Sequence, residues 1–270
     1  MRIALVVTTW ERPDALACVL RSACGQSRPP DELIVADDGS GPATRDLVAD
    51  WARRANFPVV HAWQPRDGWR ACRARNLAVS RASADYVVAV DGDMLLDRDF
   101  LADHEVAARP GCWVQGCRLP LGPAATLRCL APVDPHSVPR PRDTDLRHLP
   151  QAMRLPRLSR LVTAAANAFV AVKGCNQGFW RDDLERVNGW DESFAGWGPE
   201  DKELCARLAH AGLRRRTLLF AGLAWHLHHP PAPRHAAGSG RALLARTRAG
   251  RRTRCETGLD SHRETSPGGT

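Results

Sequence analysis

Short apolar runs punctuate the first third of the chain, and longer stretches of mixed apolar and polar residues separate them. Ile3–Thr8, Glu32–Ala36, Val59–Trp63 and the run YVVAV at 86–90 read as strands. Helical patterning begins near Pro13 and covers Thr44–Arg54 and Ala71–Arg81. Strands that alternate with helices imply βαβ units and a parallel sheet covered on both faces. YVVAV shows no polar alternation, as expected of a central strand buried on both sides.

Sheets of this kind bind ligands beyond the carboxyl ends of their strands. The residues there are Thr8-Thr9-Trp10-Glu11-Arg12, Asp37-Asp38-Gly39-Ser40 and Asp91-Gly92-Asp93, so three polar clusters converge on one edge. Neither GxGxxG after the first strand nor GxxxxGK[ST] anywhere is present, which argues against a dinucleotide site and a P-loop. A nucleotide held by side chains and a metal stays open.

Between Leu119 and Arg157 eight prolines interrupt the pattern, and the segment reads as a functional loop or lid. Regular structure is expected again at Ala168–Val172, in a helix from Arg181, in a helix over Pro199–Ala211 and in a strand near Arg216–Phe220. These breaks divide the chain into a nucleotide-binding half (1–118), a Pro-rich insertion (119–167), a second half (168–234) and a tail (235–270).

Composition changes this picture little. The formal charge of the 270 residues is +8, but seven arginines against Glu256, Asp260 and Glu264 fall after residue 234. The tail has no aromatic residue to stack on bases, so a nucleic-acid partner is not indicated. It is expected to be a disordered, dispensable segment offering at most weak attraction to an anionic inner-membrane surface. Nine scattered cysteines without a CxxC pair fit a reducing cytoplasm. MRIALVVTTW reads as a first strand and not as a signal peptide, and the run at 161–172 is too short to span a bilayer.

Three features carry candidate chemistry. VAVDGDM places Asp91 and Asp93 two residues apart at a buried strand end, which suits a hard divalent cation bridging to a diphosphate, although Asp-Gly is also common turn chemistry. His226 and His229, within WHLHHP, could complete the shell of such a cation and would favour a Mn²⁺-like ion over Ca²⁺. In AGWGPEDKEL, Glu200 and Asp201 follow a Trp-Gly-Pro turn. Acids there suit a helix N-terminus, and a carboxylate so placed could equally take a proton from a substrate.

The run VVTTWERP…ELIVADDGS…ACRARNLAVSRASADYVVAVDGDM resembles the inverting family 2 glycosyltransferases of the GT-A fold. KGCNQGFWRDDLERVNGWDESFAGWGPEDKELCARL is similar to the C-terminal region shared by β-1,4-galactosyltransferases and bacterial chondroitin polymerases. The resemblance implies an α/β GT-A fold with a Rossmann-like nucleotide half and an acceptor half. It also implies a metal-dependent, inverting hexosyltransferase that moves sugar from a UDP-sugar to a carbohydrate or glycolipid acceptor hydroxyl, in bacterial-type polysaccharide or glycolipid synthesis. By position, Thr8, Glu11 and Asp38 would line the uridine pocket, with Asp37 beside it and Arg75 near the nucleotide. Asp91 and Asp93 would form the D-x-D pair, with Asp93, His226 and His229 holding Mn²⁺ or Mg²⁺. Trp197 and Gly198 would shape the donor and acceptor pockets, Glu200 would bond a sugar hydroxyl, and Asp201 would match the catalytic base. Two positions depart from the pattern: a methionine is usual where His226 stands, and a glycine where Pro199 stands. The alternatives are a sugar nucleotidyltransferase, which would want a basic Gly-rich loop where TTWERP stands, and an inactive sugar-binding relative.

Overall fold

Every second side chain of the first strand, β1 (Ile3–Thr9), points to the opposite face of a sheet, and both faces are buried. Ala4 and Val6 enter one core and Ile3, Leu5 and Val7 the other. A strand buried on both sides has no polar positions to spare, which explains the continuous apolar runs.

The computed structural model describes residues 1–131, 139–162, 172–196, 198–230 and 237–262. After β1 come α1 (Pro13–Cys24), β2 (Glu32–Asp37), α2 (Pro42–Arg54), β3 (Val59–Trp63), α3 (Ala71–Ser80) and β4 (Tyr86–Asp91). They are followed by β5 (Met94–Leu96), α4 (Phe100–Ala107), β6 (Cys112–Gln115), β7 (Leu119–Pro120), α5 (Pro123–Leu130) and α6 (Pro156–Val162). The chain continues through β8 (Asn176–Trp180), α7 (Arg181–Val187), α8 (Glu200–His210), β9 (Arg214–Thr217), β10 (Ala224–His226) and α9 (Ala237–Ala249). The expected strand near Arg216–Phe220 begins earlier, at Arg214, and ends at Thr217. Of the expected element at Ala168–Val172, positions up to 171 lie outside the described residues.

Seven strands form the main sheet in the order β3-β2-β1-β4-β8-β6-β9, with β8 antiparallel to both neighbours and the other pairs parallel. One core lies under α3, α7 and α8, the other under α1, α2 and α4. A second sheet, β5-β10-β7, packs Leu95, Leu119 and Trp225 against α1 and α5. It draws β7 and α5 of the Pro-rich segment into the body of the fold. No helix among the described residues is long and apolar enough to cross a membrane.

Of the segment expected to be a disordered tail, residues 237–262 are instead ordered and packed. Leu244 and Leu259 are buried, and the Thr247 hydroxyl donates to Glu203 Oε1 at 2.9 Å. Glu203 in turn holds the fully buried Arg207, whose Nη2 lies 2.7 Å from its Oε2. A Cβ at Gly240 would come within 2.9 Å of Pro199, so α9 presses directly on the turn that opens α8. The segment packs because it satisfies a buried ion pair and covers apolar surface, which its charge conceals. Truncation after Arg234 is therefore expected to destabilise the protein, since each leucine removed contributes about 1.5–3 kcal/mol. Leu259→Ala should cost about 2–5 kcal/mol on its own. Urea midpoints of the two variants at wild-type values would show that the packing contributes nothing.

Candidate active site

The parallel strands β1, β2 and β4 end side by side, and a cleft of about 900 Å³ opens where they stop. Thr8, Asp38, Asp91 and Asp93 line its sheet side, and Gly198, Glu200 and Asp201 line the opposite wall. Pro199 is the cap of α8, its carbonyl accepting the Glu203 N–H at 3.0 Å, so Glu200 and Asp201 occupy the first two helical positions. Proline thus precedes the helix by one residue instead of opening it. Negative charge is favoured there by the helix dipole.

Arg75 of α3 joins the two walls. Its Nε donates to Thr8 Oγ1 at 3.1 Å and its Nη2 to Asp91 Oδ1 at 3.1 Å. Its Nη1 lies 3.5 Å from Asp201 and 3.8 Å from Glu200. Burial opposes the guanidinium charge, but Asp201, Asp91 and Glu200 outweigh it and keep Arg75 protonated. Burial also raises Asp91, which lies at the base of the cleft although 38% of its side chain still faces the cavity, to a pKa of about 6. It raises Glu200, with the neighbouring Asp201 charge adding to the effect, to about 8.

A second cluster sits at the other end. Asp93 Oδ2 lies 3.6 Å from His226 Nε2 and 3.2 Å from His229 Nε2, and the three ligand atoms fall within 4.8 Å of one another. Backbone pairing explains this convergence: β5, which starts right after Asp93, pairs with β10, placing His226 opposite Met94, and the Leu227 N–H donates to the Asp93 carbonyl at 3.0 Å. Burial works against the Asp93 charge, but the His229 hydrogen bond and the adjoining imidazoles and Arg12 hold its carboxyl below the usual range. Burial lowers His226 to about 4, so its imidazole is neutral at pH 7, whereas the hydrogen bond to Asp93 raises His229. The set fits a divalent cation. Asp93 Oδ1 is buried without a hydrogen-bond partner, and His229 Nδ1 is engaged by the Pro230 carbonyl at 2.7 Å, leaving Nε2 toward the cluster.

Residues 4–104 match the family described as Glycosyl transferase family 2, and residues 166–230 match the family described as N-terminal domain of galactosyltransferase. The first part of the chain is thus similar to family 2 glycosyltransferases, and a later part to galactosyltransferases. It is 29% identical over 254 residues to a validoxylamine A glucosyltransferase from Streptomyces hygroscopicus subsp. limoneus, with 90% of this chain and 54% of that one covered. It is 26% identical to the chondroitin synthase of Escherichia coli over 84% of this chain and 35% of that one. The chain spans about half the length of the glucosyltransferases it matches. Its GT-A fold is shared with S. aureus TarS 1-349 in complex with UDP, at a TM-score of 0.64 and 15% identity, covering 97% of this chain and 68% of that one. It is shared too with a mannosyltransferase from Pyrobaculum calidifontis in complex with GDP-Man and Mn²⁺, at a TM-score of 0.56 and 23% identity, covering 91% and 61%.

Of the residues expected from the sequence, Thr8, Asp38, Arg75, Asp91, Asp93, Gly198, Glu200, Asp201, His226 and His229 all line the cleft. Two expected residues do not. Asp37 is fully buried behind the strand end, where Oδ1 accepts the Ser40 N–H and Oδ2 meets His61 Nε2, each at 2.8 Å. Both its oxygens are occupied by the protein. Glu11 is outside the lining, and its Oε1 accepts the Gly41 N–H at 2.8 Å. Trp197 lies outside the described residues.

The sequence reading assigned no role to several lining residues. Arg66 stacks 3.9 Å over the Trp10 ring and donates to Asp38 Oδ2 at 2.7 Å. Inspecting the end of β3, as was done for the other strands, would have flagged it. A Cβ at Gly174 would fall 2.2 Å from the Asp201 carboxylate, so glycine alone leaves room for that side chain. Arg118, Lys173, Lys202 and Arg241 complete the basic lining without any sequence motif.

Glu200 also sets a pH dependence. Its carboxyl holds a proton up to about pH 8 when folded, against 4.5 ordinarily, so between these values the unfolded chain binds fewer protons and stability falls as pH rises. Glu200→Gln is expected to flatten that decline. Melting temperatures of both proteins across the window test it, and identical slopes would exclude the assignment.

Proposed function

We propose that the protein is a metal-dependent, inverting glycosyltransferase that moves a sugar from a UDP-sugar to an acceptor hydroxyl. The reading is carried by one observation: Asp201 faces the D-x-D pair across a single cleft, with Arg75 bridging the two. The UDP bound to TarS and the GDP-Man and Mn²⁺ bound to the mannosyltransferase support a nucleotide-sugar donor beside a metal. Chondroitin synthase and the validoxylamine glucosyltransferase among the relatives support a carbohydrate acceptor and a role in bacterial-type polysaccharide or glycolipid synthesis.

In this mechanism Thr8 and Asp38 border the nucleoside, and Trp10 with Arg66 forms a flat wall beside it. Asp93, His226 and His229 would hold a divalent cation, Mn²⁺ or Mg²⁺, which when bound neutralises charge on the departing diphosphate. Asp201 takes the acceptor hydroxyl proton as that oxygen bonds to the anomeric carbon from the face opposite UDP. The bond to the diphosphate oxygen breaks with its electron pair leaving on UDP, and the configuration inverts. Glu200 keeps its proton at neutral pH and so serves as a hydrogen-bonding group for a sugar hydroxyl. Its buried Oε2 has no hydrogen-bond partner among the described residues. Arg75 holds Asp91 and Asp201 in register.

Two measurements test the reading. Calorimetry is expected to show that UDP binds more tightly in Mn²⁺ than in EDTA and that Asp93→Ala abolishes the difference. Equal affinities for the wild type in the two buffers would remove the metal from the mechanism. Asp201→Asn should leave folding and UDP binding near wild type while transfer falls by roughly 10²–10⁴-fold. Glu200→Gln is the control and should act mainly on acceptor affinity. Near-normal turnover by Asp201→Asn would assign the base elsewhere.

A further inference from the structure

The charges of the cleft do not balance at its acceptor end. Among the arginines of the lining, Arg12 pairs with Asp93, Arg66 with Asp38, and Arg75 with Asp91, Glu200 and Asp201. Lys173, Lys202 and Arg241 also line the cleft, and none of them has a carboxylate partner among the described residues. They come from three separate segments. Lys173 adjoins Gly174, which backs the Asp201 carboxylate, and Lys202 follows Asp201 on α8. Arg241 follows Gly240, the residue of α9 that presses on Pro199. Each is thus one position along the chain from a residue of the wall that carries the proposed base. Arg118 is different, for it immediately precedes β7, whose Leu119 and Pro120 pair with Trp225 and His226.

The donor does not use up this charge. The two negative charges of a UDP-sugar diphosphate are matched by the two positive charges of the proposed cation, with Arg118 in reserve. Even after one of the three offsets the second ionised carboxylate that Arg75 faces, a concave site with surplus cations concentrates anions, and lysine and arginine bind carboxylate and phosphate by charge-assisted hydrogen bonds.

We infer that Lys173, Lys202 and Arg241 form an acceptor subsite for an anionic carbohydrate, one bearing a carboxylate or phosphate close to the hydroxyl that is glycosylated. The inference rests on the glycosyltransferase reading and narrows its acceptor. It also gives the C-terminal segment a part in substrate recognition, since Arg241 lies beyond the residues matched by either family.

The test has two arms that fail separately. In the first, release of UDP from UDP-sugars in Mn²⁺ without acceptor reads transfer to water and so the donor chemistry alone. In the second, calorimetry on the UDP- and Mn²⁺-loaded protein compares three disaccharides that end in glucose, in glucuronate or in glucose 6-phosphate. At least one anionic probe is expected to bind about ten-fold more tightly than the neutral one, a preference that weakens with added salt. Which anion is preferred distinguishes a uronate from a phosphate acceptor. The triple variant Lys173→Ala, Lys202→Ala, Arg241→Ala should lose the preference while keeping its melting temperature and UDP affinity. Equal binding of all three probes, or a preference that survives the triple substitution, would overturn the subsite. No UDP release in the first arm with the preference intact would overturn the glycosyltransferase reading instead.

Discussion

A single buried guanidinium holds the two walls of this protein's cleft together. Arg75 is reached by a carboxylate from the end of β4, two from the start of α8 and a hydroxyl from β1. Burying such a cation is costly unless it is paired and hydrogen-bonded, and crowding three carboxyl groups is costly unless a cation lies among them and one, here Glu200, keeps its proton. Each arrangement makes the other tolerable. The wall at the strand ends and the wall at the start of α8 are thereby fixed at the spacing of one side chain, and Asp91 cannot shift without disturbing the groups that face it.

Much of this arrangement was legible in the sequence because it depends on strong local signals. The strands β1 to β4 are apolar runs set between helices with Pro or polar starts, and the rule that ligands gather at strand ends pointed to Thr8, Asp38, Asp91 and Asp93. What stayed hidden depends on tertiary geometry. Asp37 and Asp38 are adjacent acids, and nothing local says that only the second faces the cleft. Strands as short as β5 and β10 leave no periodicity, yet their pairing is what brings His226 to Asp93. Arg214–Thr217 reads RRRT, a sequence without the apolar content of a strand, because it forms the sheet edge. The helix α9 escaped notice for a related reason. Its docking uses a glycine, a threonine hydroxyl and one buried leucine instead of a broad apolar stripe.

The same geometry revises the division of the chain. Boundaries at residues 118 and 167 put β5, β7 and β10 in three different parts of the chain, although the three make one small sheet. The Pro-rich segment is thus not simply an insertion laid over a finished body. Its first part closes the sheet on which His226 stands, and α5 packs against α1 of the nucleotide half. Prolines at the starts of α5 and α6 are helix openings, not breaks.

The antiparallel strand β8 has a consequence for how the chain is made. It lies in the middle of the main sheet, beside β4, yet it arrives only at Asn176. On a ribosome adding roughly 5–20 residues per second, β4 waits for several seconds after it emerges before its partner exists. Throughout that interval its outer edge, Tyr86–Val90, is an apolar strand with open backbone hydrogen bonds, the kind of template that recruits other chains. The first four strands therefore leave a sheet edge that is closed only when the chain beyond residue 175 is threaded into its centre.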